Sequence, residues 1–170
     1  YEHEVVELLS PEPGRTAVLA GGTDLIPLLK KMIAQPDRVV NVMEVPSLKQ
    51  LEKLADGTVR IGAAVTLDRL LDSDYLRDYS AIVQAIQGIN SMQLQCQGTV
   101  GGDLCQRPQC WFFRKGRGLI EDGGRQVAEG DNRFHAIFGN AGPAKFVSAS
   151  RIAPALIAHG ATLRIVGPAP

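Results

Sequence analysis

The sequence has no long apolar run and no excess of charge of either sign. Its 18 basic residues balance 18 acidic ones, so no net field draws it to nucleic acid or to anionic lipid. Aromatic residues are scarce, 5% of the chain, which argues against the stacking platforms that bind single strands. Without a stretch of about 20 apolar residues there is no candidate membrane span. Without a basic leader and short apolar core there is no signal-peptide pattern. The chain carries 3 cysteines, Cys96, Cys105 and Cys110, close together in sequence. An odd, clustered set is not a secreted disulfide framework. These absences lead us to expect a soluble, cytoplasmic protein. Internal repeats and low-complexity tracts are also lacking.

What is present suffices for a core. The chain has 170 residues, 45% of them hydrophobic, enough for one generous domain or two small lobes. It begins at Tyr1 and stops at "IVGPAP", ends that read as cut from a longer polypeptide.

Periodicity organises the first part. "YEHEVVELLS" reads as the end of a helix, and "TAVLA" as a short buried strand. "GGTDLIPLLKKMIA" reads as a helix with Thr23 as N-cap, Asp24 in the first turn and an apolar face of Leu25, Leu28, Leu29, Met32 and Ile33. Pro27 is tolerated there because it falls in the first turn. "RVVNV" is a second strand, so residues 16–42 carry the strand–glycine turn–helix–strand pattern of a parallel α/β unit.

The chain then changes character. "LEKLADGTVRIGAAV" predicts two strands joined at Asp56-Gly57, a favoured hairpin dipeptide. Thr66 is placed to cap a helix through "LDRLLDS", and "SAIVQAIQGI" predicts a helix with Ile82, Ala85, Ile86 and Ile89 on one face. Residues 106–150 show little periodicity and read as an irregular insertion. "RIAPALIAHGATLRIVG" predicts a short helix followed by a strand. The expected organisation is an α/β lobe over 1–50 and a larger α+β lobe over 51–170.

Two glycine-rich turns carry the chemistry. In "AGGTDL", glycines between strand and helix let backbone N–H groups converge, which suits phosphate or pyrophosphate. The alternative is a plain tight turn, since the stretch is neither GxGxxG nor a P-loop. In "GTVGGDL", Thr99 offers a hydroxyl, and Gly101 and Gly102 permit close backbone approach to a ligand; the alternative is a bulge or bend. Two such turns point to a cofactor held between lobes. Cys105 and Cys110 are spaced C-x4-C, but zinc or iron–sulfur binding needs about four ligands. Only Cys96 and His135 are on hand to complete a set, so we expect free thiols and no metal. His135, in "NRFHAIFG" between Phe134 and Phe138, reads as a packed or hydrogen-bonded histidine. "WFFRKGR" reads as core or interface aromatics with basic residues at the rim. No Ser-His-Asp set or carboxylate pair is found, and no catalytic residue is assigned.

"LAGGTDLIPLLKK", "VRIGAAVTL", "QGTVGGDLCQ" and "APALIAHGATLRIVGP" occur in order over about residues 16–168. In this the chain resembles the FAD-binding domain of the molybdenum hydroxylases, the medium subunits of xanthine dehydrogenase, carbon monoxide dehydrogenase and 4-hydroxybenzoyl-CoA reductase types. The resemblance implies an α+β, two-lobed FAD-binding fold of the vanillyl-alcohol-oxidase or molybdopterin-dehydrogenase type, with FAD between the lobes. It implies that the backbone of Ala20, Gly21, Gly22, Thr23, Asp24 and Leu25 holds the pyrophosphate, and that Thr99, Gly101, Gly102 and Asp103 line the flavin side. The implied partners are a molybdenum-cofactor large subunit and a 2Fe-2S small subunit. Electrons from these reach FAD and leave to an acceptor, and the isoalloxazine carries the chemistry.

The chain departs from that pattern at several positions. Asp103 stands where the family usually has Asn; an anion there is expected to oppose a reduced flavin. Ser150-Arg151 stands where it typically reads Ser-Asp, an Asp that commonly binds cofactor hydroxyls. Residues 105–150 look like the branch whose loop carries a four-cysteine 4Fe-4S cluster. Of that set only Cys110 is retained; Gln126 and residues 140–147 offer no thiol, so the cluster is expected to be absent. Relative to the family, the usual start of the domain and its C-terminal subdomain are expected to be missing. A second reading follows from these departures: a degenerate, flavin-free scaffold domain for subunit contacts.

Overall fold

Helical spacing near the start produces α1 (Glu2–Leu8). The chain then enters β1 (Thr16–Leu19), crosses through α2 (Leu25–Lys30) and returns in β2 (Arg38–Asn41). A computed structural model describes residues 1–118, 129–133, 135, 138 and 147–168. β1 and β2 run parallel, with Thr16 opposite Arg38 and Leu19 opposite Asn41, the pairing that a helical crossover requires. The strand–helix–strand unit is therefore as expected.

Three details differ. Helix α2 begins at Leu25, so Asp24 rather than Thr23 occupies the N-cap, with no side-chain cap bond. The helix ends at Lys30 because Met32 takes a left-handed conformation, φ 55°. The Ile33 N–H then reaches Leu28 O at 2.9 Å and the Met32 N–H reaches Leu29 O at 3.0 Å. This is a Schellman closure with methionine where glycine is usual. It takes Met32 and Ile33 off the expected helical face. The third is β1, which is not buried: Val18 is 49% exposed because it lines the cleft described below.

The hairpin forms as expected. β3 (Leu51–Lys53) and β4 (Val59–Ile61) are antiparallel, with Lys53 opposite Val59. Gly57 supplies the positive φ of the turn, 86°, and Asp56 Oδ1 accepts the Thr58 N–H at 2.9 Å.

The described structure also has six α-helices, α3 (Leu67–Leu71), α4 (Ser80–Gln87), α5 (Met92–Gln97), α6 (Val100–Leu104), α7 (Trp111–Arg114) and α8 (Ala153–Ala158), and two short 3-10 helices, Pro46–Lys49 and Asp74–Leu76. Thr66 stands at the N-cap of α3, but its hydroxyl donates to Asp68 Oδ1 instead of capping a backbone N–H. The main core gathers Val65, Leu67, Leu70, Leu76, Ile82, Ile86, Ile89, Val100 and Ile152. It thus packs α3 and α4 against the start of α6 and the entry to α8. The strand expected after α8 does not form: among the described residues nothing pairs with 161–167, and Leu163 and Ile165 are 70% and 88% exposed. A strand exists only with a ladder partner, and without one the segment is merely extended. The architecture is mixed helix and strand. Among the described residues no helix is long and apolar enough to cross a membrane.

Candidate functional site

The two glycine turns, remote in sequence, are pressed together. A Cβ on Gly21 would stand 1.6 Å from the backbone oxygen of Gln97, so only glycine allows this approach. Gly22 sits at φ 74°, a left-handed conformation that favours glycine. On the second turn, a Cβ on Gly101 would meet Ala63 Cβ at 2.8 Å and Ala63 O at 2.9 Å. The junction of α5 and α6 is thereby wedged between the first turn and the segment leaving β4.

A cleft of about 730 Å³ opens at this junction. Ala20, Gly21, Gly22, Thr23, Asp24, Leu25, Thr99, Gly101 and Gly102 all lie on its wall. A smaller cleft of about 360 Å³ shares Thr23, Asp24, Thr99 and Gly102 and adds Asp103 and Arg151. All ten residues singled out in the sequence therefore surround two adjoining clefts. The larger volume falls within the roughly 300–1,000 Å³ typical of small-molecule sites.

The turns differ in what they offer a ligand. Val100 N–H donates to Val65 O at 2.9 Å, Gly101 N–H to Ala63 O at 2.8 Å, and Gly102 N–H to Thr99 Oγ1 at 3.1 Å. These donors are spent, and the Thr99 side chain, 1% exposed, caps α6. The second turn is the start of a helix and presents a close-packed wall. In the first turn, the N–H groups of Gly21, Gly22, Thr23 and Asp24 have no acceptor among the described residues. Partly exposed amides without partners are donors available to a ligand. Helix α2 has only 6 residues, so its dipole adds little.

Two carboxylates brace the junction. Asp24 Oδ1 pairs with Arg114 Nη2 at 2.8 Å, and its Oδ2 accepts the Arg107 N–H at 2.9 Å. Arg114 is thus drawn to the first turn instead of standing at a rim, and Phe113 beside it lines the larger cleft. Asp103 is buried. Its Oδ1 accepts the Ser150 hydroxyl and the N–H groups of Arg151 at 3.2 Å and Ile152 at 3.3 Å, and its Oδ2 accepts Gln106 Nε2 at 2.8 Å. Ser150 Oγ in turn accepts the Ala153 N–H at 3.0 Å. Asp103 thus ties down the segment that leads into α8, and Ser150 takes the first N–H of that helix. The Arg151 guanidinium donates to Gly88 O beyond the end of α4.

The cysteines are distributed differently. Cys110 is buried, with its Sγ 3.3 Å from His135 Nε2. The Trp111 and Phe112 rings pack about that imidazole at 6.4 and 6.1 Å, so His135 is packed as expected. Phe134, Gln126 and residues 140–146 lie outside the described residues. Cys105 is exposed on the larger cleft. Cys96 is exposed, and its hydrogen bond to Asp68 pushes the thiol above its ordinary pKa. The Asp68 carboxyl is held below the usual carboxylate range, chiefly by the Thr66 hydroxyl.

Arg107 and Phe113 on the larger cleft, and Arg114 paired with Asp24 beside it, were not anticipated. For Phe113 and Arg114 the signal in sequence was weak, an aromatic and basic cluster, "WFFRKGR", with nothing to pair it with Asp24; Arg107, in "CQRPQC", carried none.

Comparison with known proteins bears on the same residues. Positions 2–169 match the family model described as "FAD binding domain in molybdopterin dehydrogenase". The aldehyde oxidoreductase FAD-binding subunit PaoB of Escherichia coli (strain K12) is 32% identical over 126 residues, 71% of this chain and 39% of that protein. The carbon monoxide dehydrogenase medium chain of Hydrogenophaga pseudoflava is 30% identical over 102 residues, 59% of this chain and 35% of that one. Among solved structures, reconstituted CO dehydrogenase from Oligotropha carboxidovorans matches with a TM-score of 0.55 at 30% identity, covering 60% of this chain and 36% of that one. The chain therefore spans well under half the length of these relatives.

Proposed function

Because the chain belongs to the family of FAD-binding domains in molybdopterin dehydrogenases, we propose that it holds FAD as the electron-transfer part of a molybdenum-containing hydroxylase or dehydrogenase. One observation carries this reading: four backbone amides, Gly21 to Asp24, without an acceptor among the described residues, stand on the wall of a cleft made by two glycine turns. The residues fit the group. The Ala20–Leu25 turn would hold the pyrophosphate through its amides, and the glycine wall at Thr99, Gly101, Gly102 and Asp103 would flank the flavin. When bound, FAD supplies the redox chemistry, taking electrons from iron–sulfur clusters and releasing them to an acceptor. The chain's own residues bind and orient it and supply no acid or base.

The finer organisation is part of the proposal. The parallel unit over 1–50 and the hairpin-and-helix unit over 51–170 would form the two lobes, with residues 106–150 as an insertion. The partners would be a molybdenum-cofactor large subunit and a 2Fe-2S small subunit, as the relatives' designation as medium chains and FAD-binding subunits supports. The reading places the assembly in the cytoplasm, where free thiols such as Cys96 and Cys105 persist. A flavin-free scaffold is not favoured, since it leaves the open amides without a purpose.

Adding FAD tests the reading. At a ligand concentration near 100 times Kd, linkage stabilises by about 2.7 kcal/mol. For a chain of this size that is roughly a 5–10 °C rise in melting temperature. A folded protein whose melting is unmoved by saturating FAD would defeat the proposal.

A further inference from the structure

Among the described residues, the larger cleft is lined by two side chains that carry a formal charge, Asp24 and Arg107. Asp24 is neutralised by Arg114 at 2.8 Å, both groups being about four-fifths buried (20% and 22% exposed). Arg107 is not matched: among the described residues its guanidinium has neither a carboxylate nor a hydrogen-bond partner. The cleft is left with one uncompensated positive charge beside a row of open amides.

The backbone that carries this cation is fixed from several directions. The Arg107 N–H donates to Asp24 Oδ2 at 2.9 Å. The Arg107 carbonyl accepts Arg114 Nη2 at 2.6 Å, and the Pro108 carbonyl accepts Arg114 Nε at 3.0 Å. Proline at 108 further restricts the residue before it. Asp24 therefore does two things at once. It belongs to the turn whose amides are free, and it clamps the segment bearing the cation. The amides and the backbone of Arg107 are held in one frame, and the Arg107 side chain lines the same cleft. Phosphate oxygens are the acceptors that satisfy both donor types, through backbone N–H groups and the guanidinium fork.

We propose that Arg107 is the cationic member of the cleft's anion subsite, pairing with the diphosphate of the bound dinucleotide beside the amides of Gly21 to Asp24. The inference rests on the FAD-binding reading above and goes beyond it in naming a side chain from the insertion as a ligand-binding residue.

The test uses the full chain with FAD and inorganic pyrophosphate as probes. Arg107→Ala should weaken FAD binding about 10- to 100-fold, the loss expected for a charge-assisted hydrogen-bonded pair. Arg107→Lys should recover part of that, since an ammonium restores charge but not the planar fork. Added salt should weaken FAD binding more in the native chain than in R107A. Pyrophosphate should compete with FAD for the native chain and compete poorly for R107A. All variants should melt within about 1 °C of the native chain without ligand, as expected for an exposed side chain. If the native chain binds FAD and R107A binds it equally, with the same salt dependence, the Arg107 proposal is overturned while the FAD reading stands. If R107A loses FAD binding only together with its unliganded stability, the residue is structural and the proposal also falls. If the native chain itself fails to bind FAD, both readings fall.

Discussion

Replacing Asp103 by alanine removes a buried carboxylate that four donors share. Those donors are the Ser150 hydroxyl, the Arg151 and Ile152 N–H groups and the Gln106 amide. Ile152 is 1% exposed, so its N–H has no water to turn to. Losing hydrogen bonds to a charged acceptor costs about 1.5–3 kcal/mol, and leaving a buried donor unpaired adds about 1–3 kcal/mol. Removing the cost of burying the charge offsets part of this. A net loss of about 3 kcal/mol follows, or roughly 6–12 °C in melting temperature for a chain of this length. Asp103→Asn should cost only about 1 kcal/mol, because Oδ1, which takes three of the four donors, is kept and only the Gln106 contact must rearrange. Thermal unfolding of the two variants beside the native chain measures both values. If the carboxylate were chiefly an anion facing the cleft, alanine would be neutral or stabilising. A D103A protein melting within about 1 °C of the native chain would refute the bracing role.

Three further outcomes are expected. Gly21→Ala places a Cβ 1.6 Å from Gln97 O, a backbone clash costing about 1–3 kcal/mol or more; a lowered melting point and weakened FAD binding should appear together, and an unaltered protein would mean the turns do not meet. Met32→Gly relieves a left-handed methionine, 65% exposed, at φ 55°; calorimetry should show a gain of about 1 kcal/mol, and a loss would place the methionine side chain in an important contact. Asp68→Ala removes the acceptor that raises the Cys96 pKa; more thiolate at pH 8 should speed alkylation of Cys96, and an unchanged rate would show that the Asp68–Cys96 bond does not form in solution.

Much of the first unit was legible because its signals are local. Apolar spacing and glycines place β1, α2 and β2, and Asp56-Gly57 places the hairpin. The helical nature of residues 92–104 was not legible. Gly101 and Gly102 each disfavour helix by about 1 kcal/mol, and the stretch therefore reads as turns. The close approach of Gly101 to Ala63 makes glycine necessary there for a tertiary reason that overrides propensity. The strand expected over 161–167 failed from the opposite cause: β-branched and apolar residues supply propensity, but a ladder needs a partner. The site divides the same way. The glycines announced a ligand turn, whereas the Asp24–Arg114 pair joins segments whose meeting no local pattern encodes.

The two acidic residues beside the glycines therefore have a common logic. Read as isolated anions, Asp24 and Asp103 weaken the case for an anionic, electron-accepting cofactor. Their partners reverse that. Asp24 is consumed by Arg114 and the Arg107 amide, and Asp103 by the start of α8 and Gln106. Each carboxylate staples a remote segment to a glycine turn: the charge of Asp24 is paired with Arg114, and that of Asp103 is held by four neutral donors. Glycine gives the close backbone approach that a ligand wall needs but brings no side chain to hold the turn in place. An adjacent aspartate supplies that hold without closing the approach. Among the described residues, what remains uncompensated around the larger cleft is positive, the Arg107 guanidinium and four open amides, a surface that favours an anion.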